Sequence, residues 1–156
     1  MKFRILFADR PKHDPLEAYE ADFIKRISRM GTLTLEEINC SKFAKLEAKA
    51  RKKKETDALL ERVERSEYSV ALDEGGKEHS SESFAEWLQG LGVQGKSRVV
   101  FLIGGAHGHD DSIKGRVNAI ISLSRLTFTS QLARALLVEQ LYRALSIING
   151  TPYHKE

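Results

Sequence analysis

Residues 103–112 read IGGAHGHDDS and set three glycines, two histidines and two aspartates into ten positions. Three chemistries could use such a run. A phosphate cradle needs backbone amides followed by a lysine and a hydroxyl, as in G-x-x-x-x-G-K-[ST], and no such pair follows Gly104 and Gly105. The dinucleotide fingerprint G-x-G-x-x-G is absent too, because the glycines run G-G-x-x-G. A metal site has competent ligands in His107, His109, Asp110 and Asp111, but no other part of the chain offers an obvious fourth ligand. Asp110 or Asp111 capping the next helix is the structural alternative for those carboxylates. The third chemistry is close approach of backbone to a non-phosphate ligand at the carboxyl end of a buried strand, where open α/β sheets bind their ligands.

That reading requires a strand just before the glycines, and RVVFLIG (98–104) supplies one: a short, uniformly apolar run suited to burial on both faces. Other elements follow from periodicity. KFRILFA (2–8) alternates as a strand, and Leu16, Tyr19, Phe23, Ile24 and Ile27 recur at helical spacing between Pro15 and Met30. TLTLEEI from Thr32 alternates again, and a long helical stretch is expected from the basic residues at Lys42 to about Glu64. EYSVALD (67–73) is a third strand, closed by EGGK, whose glycines are expected to supply positive φ in a turn. A helix carrying Phe84, Trp87, Leu88 and Leu91 follows, with Ser81 or Ser83 as its cap. A short helix is expected from about Asp111, a fifth strand over Ile121 to Phe128, and a strongly apolar helix from Gln131 to Ile148. Five strands interleaved with helices make an α/β domain on a mostly parallel sheet with helices on both faces. The last helix is apolar on more than one side, which favours a two-fold dimer interface.

At 156 residues the chain fits one domain, 1–156, large enough for a core without staples. Cys40 is its single cysteine, so no intrachain disulfide or thiolate cluster forms and a reducing cytoplasm is the expected compartment. No segment approaches the roughly 20 apolar residues of a membrane span. Net charge is only +3, yet Lys42 to Lys54 holds seven lysines and arginines against the single Glu47. Such a block is either a solvated helix face or a footprint for a polyanion.

Three strings together, FLIGGAHG (101–108), LSRLTF (123–128) and LLVEQLYRALSIINGTPYHKE (136–156), resemble the RlmH family of ribosomal RNA large-subunit methyltransferases, of the SPOUT class. The match is dense over residues 97–156 and looser before them, where VALDEGGK still fits in order. The resemblance implies a C-terminal trefoil knot, a homodimer, S-adenosylmethionine as methyl donor and N3 of a pseudouridine in large-subunit ribosomal RNA as acceptor. Carried over by position, it implies a donor site at Leu72, Gly104, Leu123, Ser124, Arg125, Leu126, Thr127 and Phe128, with no metal.

Catalytic roles are implied for Arg143, Tyr153 and His154, accompanied by Tyr142 and Lys155. Within that reading His154 suits proton transfer, Arg143 suits a phosphate or a charged base edge, and Tyr153 suits stacking on a base. The chain departs from the family at Thr129 and Ser130, where members usually carry proline and histidine; Ser130 is expected to cap the last helix. For RNA contact the basic candidates are Lys42 to Lys54 and the group Lys25, Arg26 and Arg29.

Overall fold

A computed structural model describes residues 1–155; Glu156, the last residue of the C-terminal string, lies outside them. Five parallel strands, β1 (Lys2–Ala8), β2 (Thr32–Ile38), β3 (Tyr68–Glu78), β4 (Arg98–Ile103) and β5 (Ala119–Ser122), form one sheet in the order β2-β1-β4-β3-β5. The four helices are α1 (Glu17–Ile27), α2 (Ala48–Leu60), α3 (Ser81–Val93) and α4 (Ser130–Ile148).

The period-2 alternation of the strands sorts the core into two layers. Phe3, Ile5 and Phe7 of β1 with Val99, Phe101 and Ile103 of β4 face α1, α3 and α4, meeting Phe23, Ile27, Leu88, Leu137 and Leu141. Leu6, Val100 and Leu102 face the other way, onto Leu59 of α2. Helices therefore cover both faces, and β4 is buried on both sides, as its composition requires.

Several local expectations need correction. The basic block does not open a helix: Ser41–Phe43 is a short 3-10 turn, and α2 begins only at Ala48, behind an extended Glu47. The fifth strand stops at Ser122. Ser122 Oγ donates to the Ser124 carbonyl at 2.8 Å, and the Leu126 amide donates to Ser124 Oγ at 3.0 Å, so side-chain bonds turn the backbone out of the sheet. Residues 123–129 form a loop instead.

The caps lie one position earlier than expected. Ser80 Oγ accepts from the Ser83 amide at 3.0 Å, and Thr129 Oγ1 accepts from the Leu132 amide at 3.4 Å. The glycines of EGGK have no positive φ. Their role is close approach: β3 slips register against β5 between Leu72 and Lys77, and a Cβ on Gly76 would lie 2.6 Å from the Ile121 carbonyl carbon.

Most of the apolar surface of α4 is satisfied within the chain, where Leu137, Val138, Leu141 and Leu145 are buried. Leu132 and Leu136 stay exposed, at 38% and 36% of their surface.

Candidate active site

The carboxyl ends of β3 and β4 and the loop after β5 converge on one side of the sheet, and a cleft of about 460 Å³ opens between them. Seven of the residues carried over to a donor site line it: Leu72, Gly104, Leu123, Ser124, Leu126, Thr127 and Phe128. Arg125 does not, since its side chain is 88% exposed and lies 3.7 Å from Glu78. Further walls of the cleft come from Lys52 of α2, Asp73 and Glu74 within β3, and Ser130 and Ala133 of α4. The acidic pair was in view in the LDEGGK string; nothing in the sequence placed Lys52 there.

The glycine stretch forms a tight turn. Gly105 and Gly108 pair as an antiparallel bridge, the Gly108 amide donates to the Gly105 carbonyl at 3.0 Å, and Gly108 has φ +74°. A Cβ on Gly104 would fall 2.7 Å from the Gly108 carbonyl carbon, and one on Gly105 would collide with the Glu55 carboxylate. The glycines are thus demanded first by the protein's own backbone and by α2.

Two hydrogen bonds brace the cleft. Ser130 Oγ donates to the Gly104 carbonyl at 2.7 Å, which corrects its expected role as a cap, and Thr127 Oγ1 donates to Glu74 Oε2 at 2.6 Å. The first ties α4 to the glycine turn, and the second ties the loop after β5 to Glu74 of β3.

His107 and His109 part company. His107 is exposed on the cleft, whereas His109 is buried, with its Nε2 3.0 Å from the Leu102 carbonyl. A carbonyl only accepts, so Nε2 carries the hydrogen, and burial pushes the imidazole pKa below its usual value. Asp110 caps the following 3-10 turn by accepting from the Ser112 amide at 3.0 Å. Among the described residues no group of three histidines, cysteines or carboxylates is placed to hold a metal ion. The Cys40 thiol is buried and its pKa is raised to about 11, far from nucleophilic use.

Arg143, Tyr153 and His154 form a second cluster, centred on Glu139. One Glu139 oxygen accepts from Arg143 at 2.6 Å and from the Tyr153 hydroxyl at 2.9 Å. Arg143 NH1 approaches His154 Nδ1 at 3.2 Å, and His154 Nε2 lies 2.7 Å from Glu82 Oε1. Because guanidinium only donates, Nδ1 accepts here and Nε2 carries the hydrogen that Glu82 receives.

Tyr153 packs edge-on against Tyr142 with ring centroids 4.7 Å apart, against Phe23 at 6.3 Å, and beneath the Arg143 guanidinium. Burial and the Glu139 contact push its pKa up to about 12. The ring thus packs against α1, α4 and the Arg143 guanidinium of its own chain.

None of these three residues lines the cleft. Arg143 lies ten residues beyond Ala133 on α4, about 15 Å along the axis at 1.5 Å per residue. One chain therefore holds the two clusters apart.

Comparison with known proteins places the chain in a family. Residues 1–154 match the family model described as "Predicted SPOUT methyltransferase". The chain is 36% identical over 159 aligned residues to the ribosomal RNA large subunit methyltransferase H of Halothermothrix orenii, covering 99% of this chain and 100% of the relative. It is 35% identical to the protein of the same name from Gloeobacter violaceus, with 99% of each chain covered. Among solved structures, a probable methyltransferase from Bordetella pertussis Tohama I superposes with a TM-score of 0.54 at 19% identity, over 92% of this chain and 95% of that one. A probable methylase family protein from Haemophilus influenzae gives a TM-score of 0.52 at 12% identity, over 99% and 70%. At those identities the two structures speak for the fold alone.

Proposed function

The chain belongs to the SPOUT methyltransferase family, and from that membership we propose that it is an S-adenosylmethionine-dependent methyltransferase of large-subunit ribosomal RNA, with N3 of a pseudouridine as acceptor. The observation that carries the reading is the convergence of Leu72, Gly104 and the loop at 123–128 on one cleft. A trefoil threading of the C-terminal part belongs to the same reading. The β4-to-β5 connection passes over β3, and Gly76 of β3 packs close to the backbone of Ile120 and Ile121, which supports that reading.

The cleft suits the donor. Its volume of about 460 Å³ lies in the range of small-molecule sites. Leu72, Ile103, Leu126 and Phe128 offer an apolar bed, and Asp73, Glu74 and Asp111 set carboxylates beside it that complement a cationic ligand. When bound, S-adenosylmethionine supplies an electrophilic methyl group on a sulfonium leaving group. The chain's own work is then to hold the acceptor nitrogen in line, to exclude water and to stabilise the charge left as that nitrogen loses its proton. Arg143 and His154 are the groups for the charge and the proton.

Arg143 lies about 15 Å along α4 from the cleft of its own chain, with His154 beside it. A two-fold dimer resolves the separation by setting the cluster of one chain against the cleft of its partner. Leu126, Leu132 and Leu136, exposed beside the cleft and on α4, are the apolar surface such an interface would cover. A non-catalytic RNA-binding role is the other reading that Thr129 and Ser130 invite. Ser130 weighs against it, because its bond to Gly104 keeps α4 braced against the donor cleft.

The test is transfer of label from methyl-labelled S-adenosylmethionine to assembled large subunits that lack the modification, with the labelled nucleotide mapped by nuclease digestion. Label at N3 of a pseudouridine is expected, with weak transfer to isolated RNA fragments, since the assembled subunit presents the acceptor. Donor binding without transfer would overturn the catalytic reading.

A further inference from the structure

We propose that α2, together with the segment leading into it, is the platform that binds the phosphate backbone of the RNA substrate and guides it to the donor cleft. The proposal rests on the reading of the chain as a ribosomal RNA methyltransferase and names the surface that reading leaves open.

The first support is where the charge is left unpaired. Arg51 is held by Glu55 at 2.6 Å and Lys53 by Asp57 at 2.7 Å. Lys42, Lys45, Lys49, Lys52 and Lys54 make no ion pair among the described residues, and all but Lys52 are exposed. On α1 the corresponding group is diluted. Arg26 is paired with Asp22 at 2.9 Å and lies over the Phe23 ring, and Glu17, Glu20 and Asp22 share the helix.

The second support is position. Lys52 lines the donor cleft itself. The buried side of α2 is joined to the segment around the cleft's glycine turn at two points and to β4 beneath it at a third. Glu55 fills the space beside Gly105, Thr56 Oγ1 accepts from the Asp110 amide at 2.9 Å, and Leu59 sits in the core beneath Val100 and Leu102. The helix is thus a rigid extension of the cleft wall, about 20 Å long for its 13 residues. A strand of RNA laid along it reaches several cations before its base reaches the cleft.

The third support is energetic. Lys49 lies three residues before Lys52 and four before Lys53, so the free helix carries like-charge repulsion on one face. Phosphates relieve that repulsion and release their counterions on contact.

The decisive experiment compares the full-length protein with two triple variants, Lys45→Ala/Lys49→Ala/Lys54→Ala and Lys12→Ala/Lys25→Ala/Arg29→Ala. Both lose three exposed cations. Binding to large ribosomal subunits is measured across a salt series, separately from methyl transfer, and donor affinity is measured by calorimetry. The α2 variant is expected to lose about two to three units of the slope of log K against log salt, at roughly 0.7–0.9 per phosphate contact. Its KM for subunits should rise on the order of tenfold with kcat and donor affinity unchanged. A Lys→Arg triple at the same positions should retain the slope.

An unchanged slope in the α2 variant, or a loss confined to the second variant, would overturn the proposal while leaving the methyltransferase reading intact. So would loss of binding to phosphatidylserine vesicles with RNA binding unaltered. If the wild-type protein binds subunits through α2 but transfers no methyl group, the parent reading fails and the RNA platform stands.

Discussion

Replacing Gly104 by alanine probes the donor cleft at its tightest point. An ideal Cβ there lies 2.7 Å from the carbonyl carbon of Gly108 and 2.9 Å from its oxygen, both backbone atoms. Ordinary contact begins near 3.4 Å, so the two limbs of the turn must part by the difference, about 0.7 Å. Inserting a methyl group into a packed position costs about 1–3 kcal/mol. The variant relieves that strain by opening the turn, whereas donor binding in the proposed cleft calls for the turn closed. The same free energy is then subtracted from donor affinity, a rise of roughly 5- to 150-fold in Kd. Calorimetric titration of the donor reads this directly. Gly115→Ala is the control, since no heavy atom lies within 4 Å of a Cβ there, and its Kd should match the wild type. A Gly104→Ala protein that binds donor normally, although its thermal midpoint has fallen, would refute the reasoning by showing the strain absorbed away from the cleft.

Other perturbations test the remaining parts. Glu139→Ala strips the shared acceptor from Arg143 and Tyr153, so stability should fall by about 2 kcal/mol or more, some 4–8 °C in Tm, and methyl transfer should collapse while donor Kd holds. Leu136→Asp sets a charge on the exposed apolar strip of α4, and sedimentation should show the proposed dimer giving way to monomer with the fold retained. His109 has a depressed pKa in the folded state, so its contribution to stability is present above the ordinary value of 6.5 and is lost as pH falls below it. Denaturant unfolding between pH 7 and pH 5 should show that loss, and a His109→Gln variant should flatten it.

Much of this fold could be read directly. The alternation of KFRILFA and TLTLEEI and the apolar run RVVFLI gave three of the five strands to within a residue, because burial on one face or both leaves a plain pattern. The sequence predicts a strand over 121–128 because apolar Leu123, Leu126 and Phe128 are interleaved with polar Ser124, Arg125 and Thr127, whereas the structure ends the strand at Ser122. Hydrogen bonds through Ser122 and Ser124 decide otherwise, and such local competition leaves no periodicity. The glycine turn was legible as a place of close approach, but its partners were not, since Glu55 lies 50 positions earlier in the chain. The separation of the Arg143 cluster from the cleft followed from helix length once the bounds of α4 were known. The packing of Tyr153 on Phe23 and Tyr142 did not, because it depends on how α1 lies against α4.

The account turns on an active site assembled from two chains, and mixing two crippled proteins tests that most directly. Ala106→Trp fills the cleft from an exposed position, and Arg143→Ala removes the cation of the C-terminal cluster. Each variant alone should methylate subunits poorly. After the two are unfolded and refolded together, about half the dimers are mixed and each carries one intact composite site, so activity should return to about a quarter of the wild-type level. Activity that stays at the level of the separate variants, with mixed dimers verified by differential tagging, would contradict the shared site.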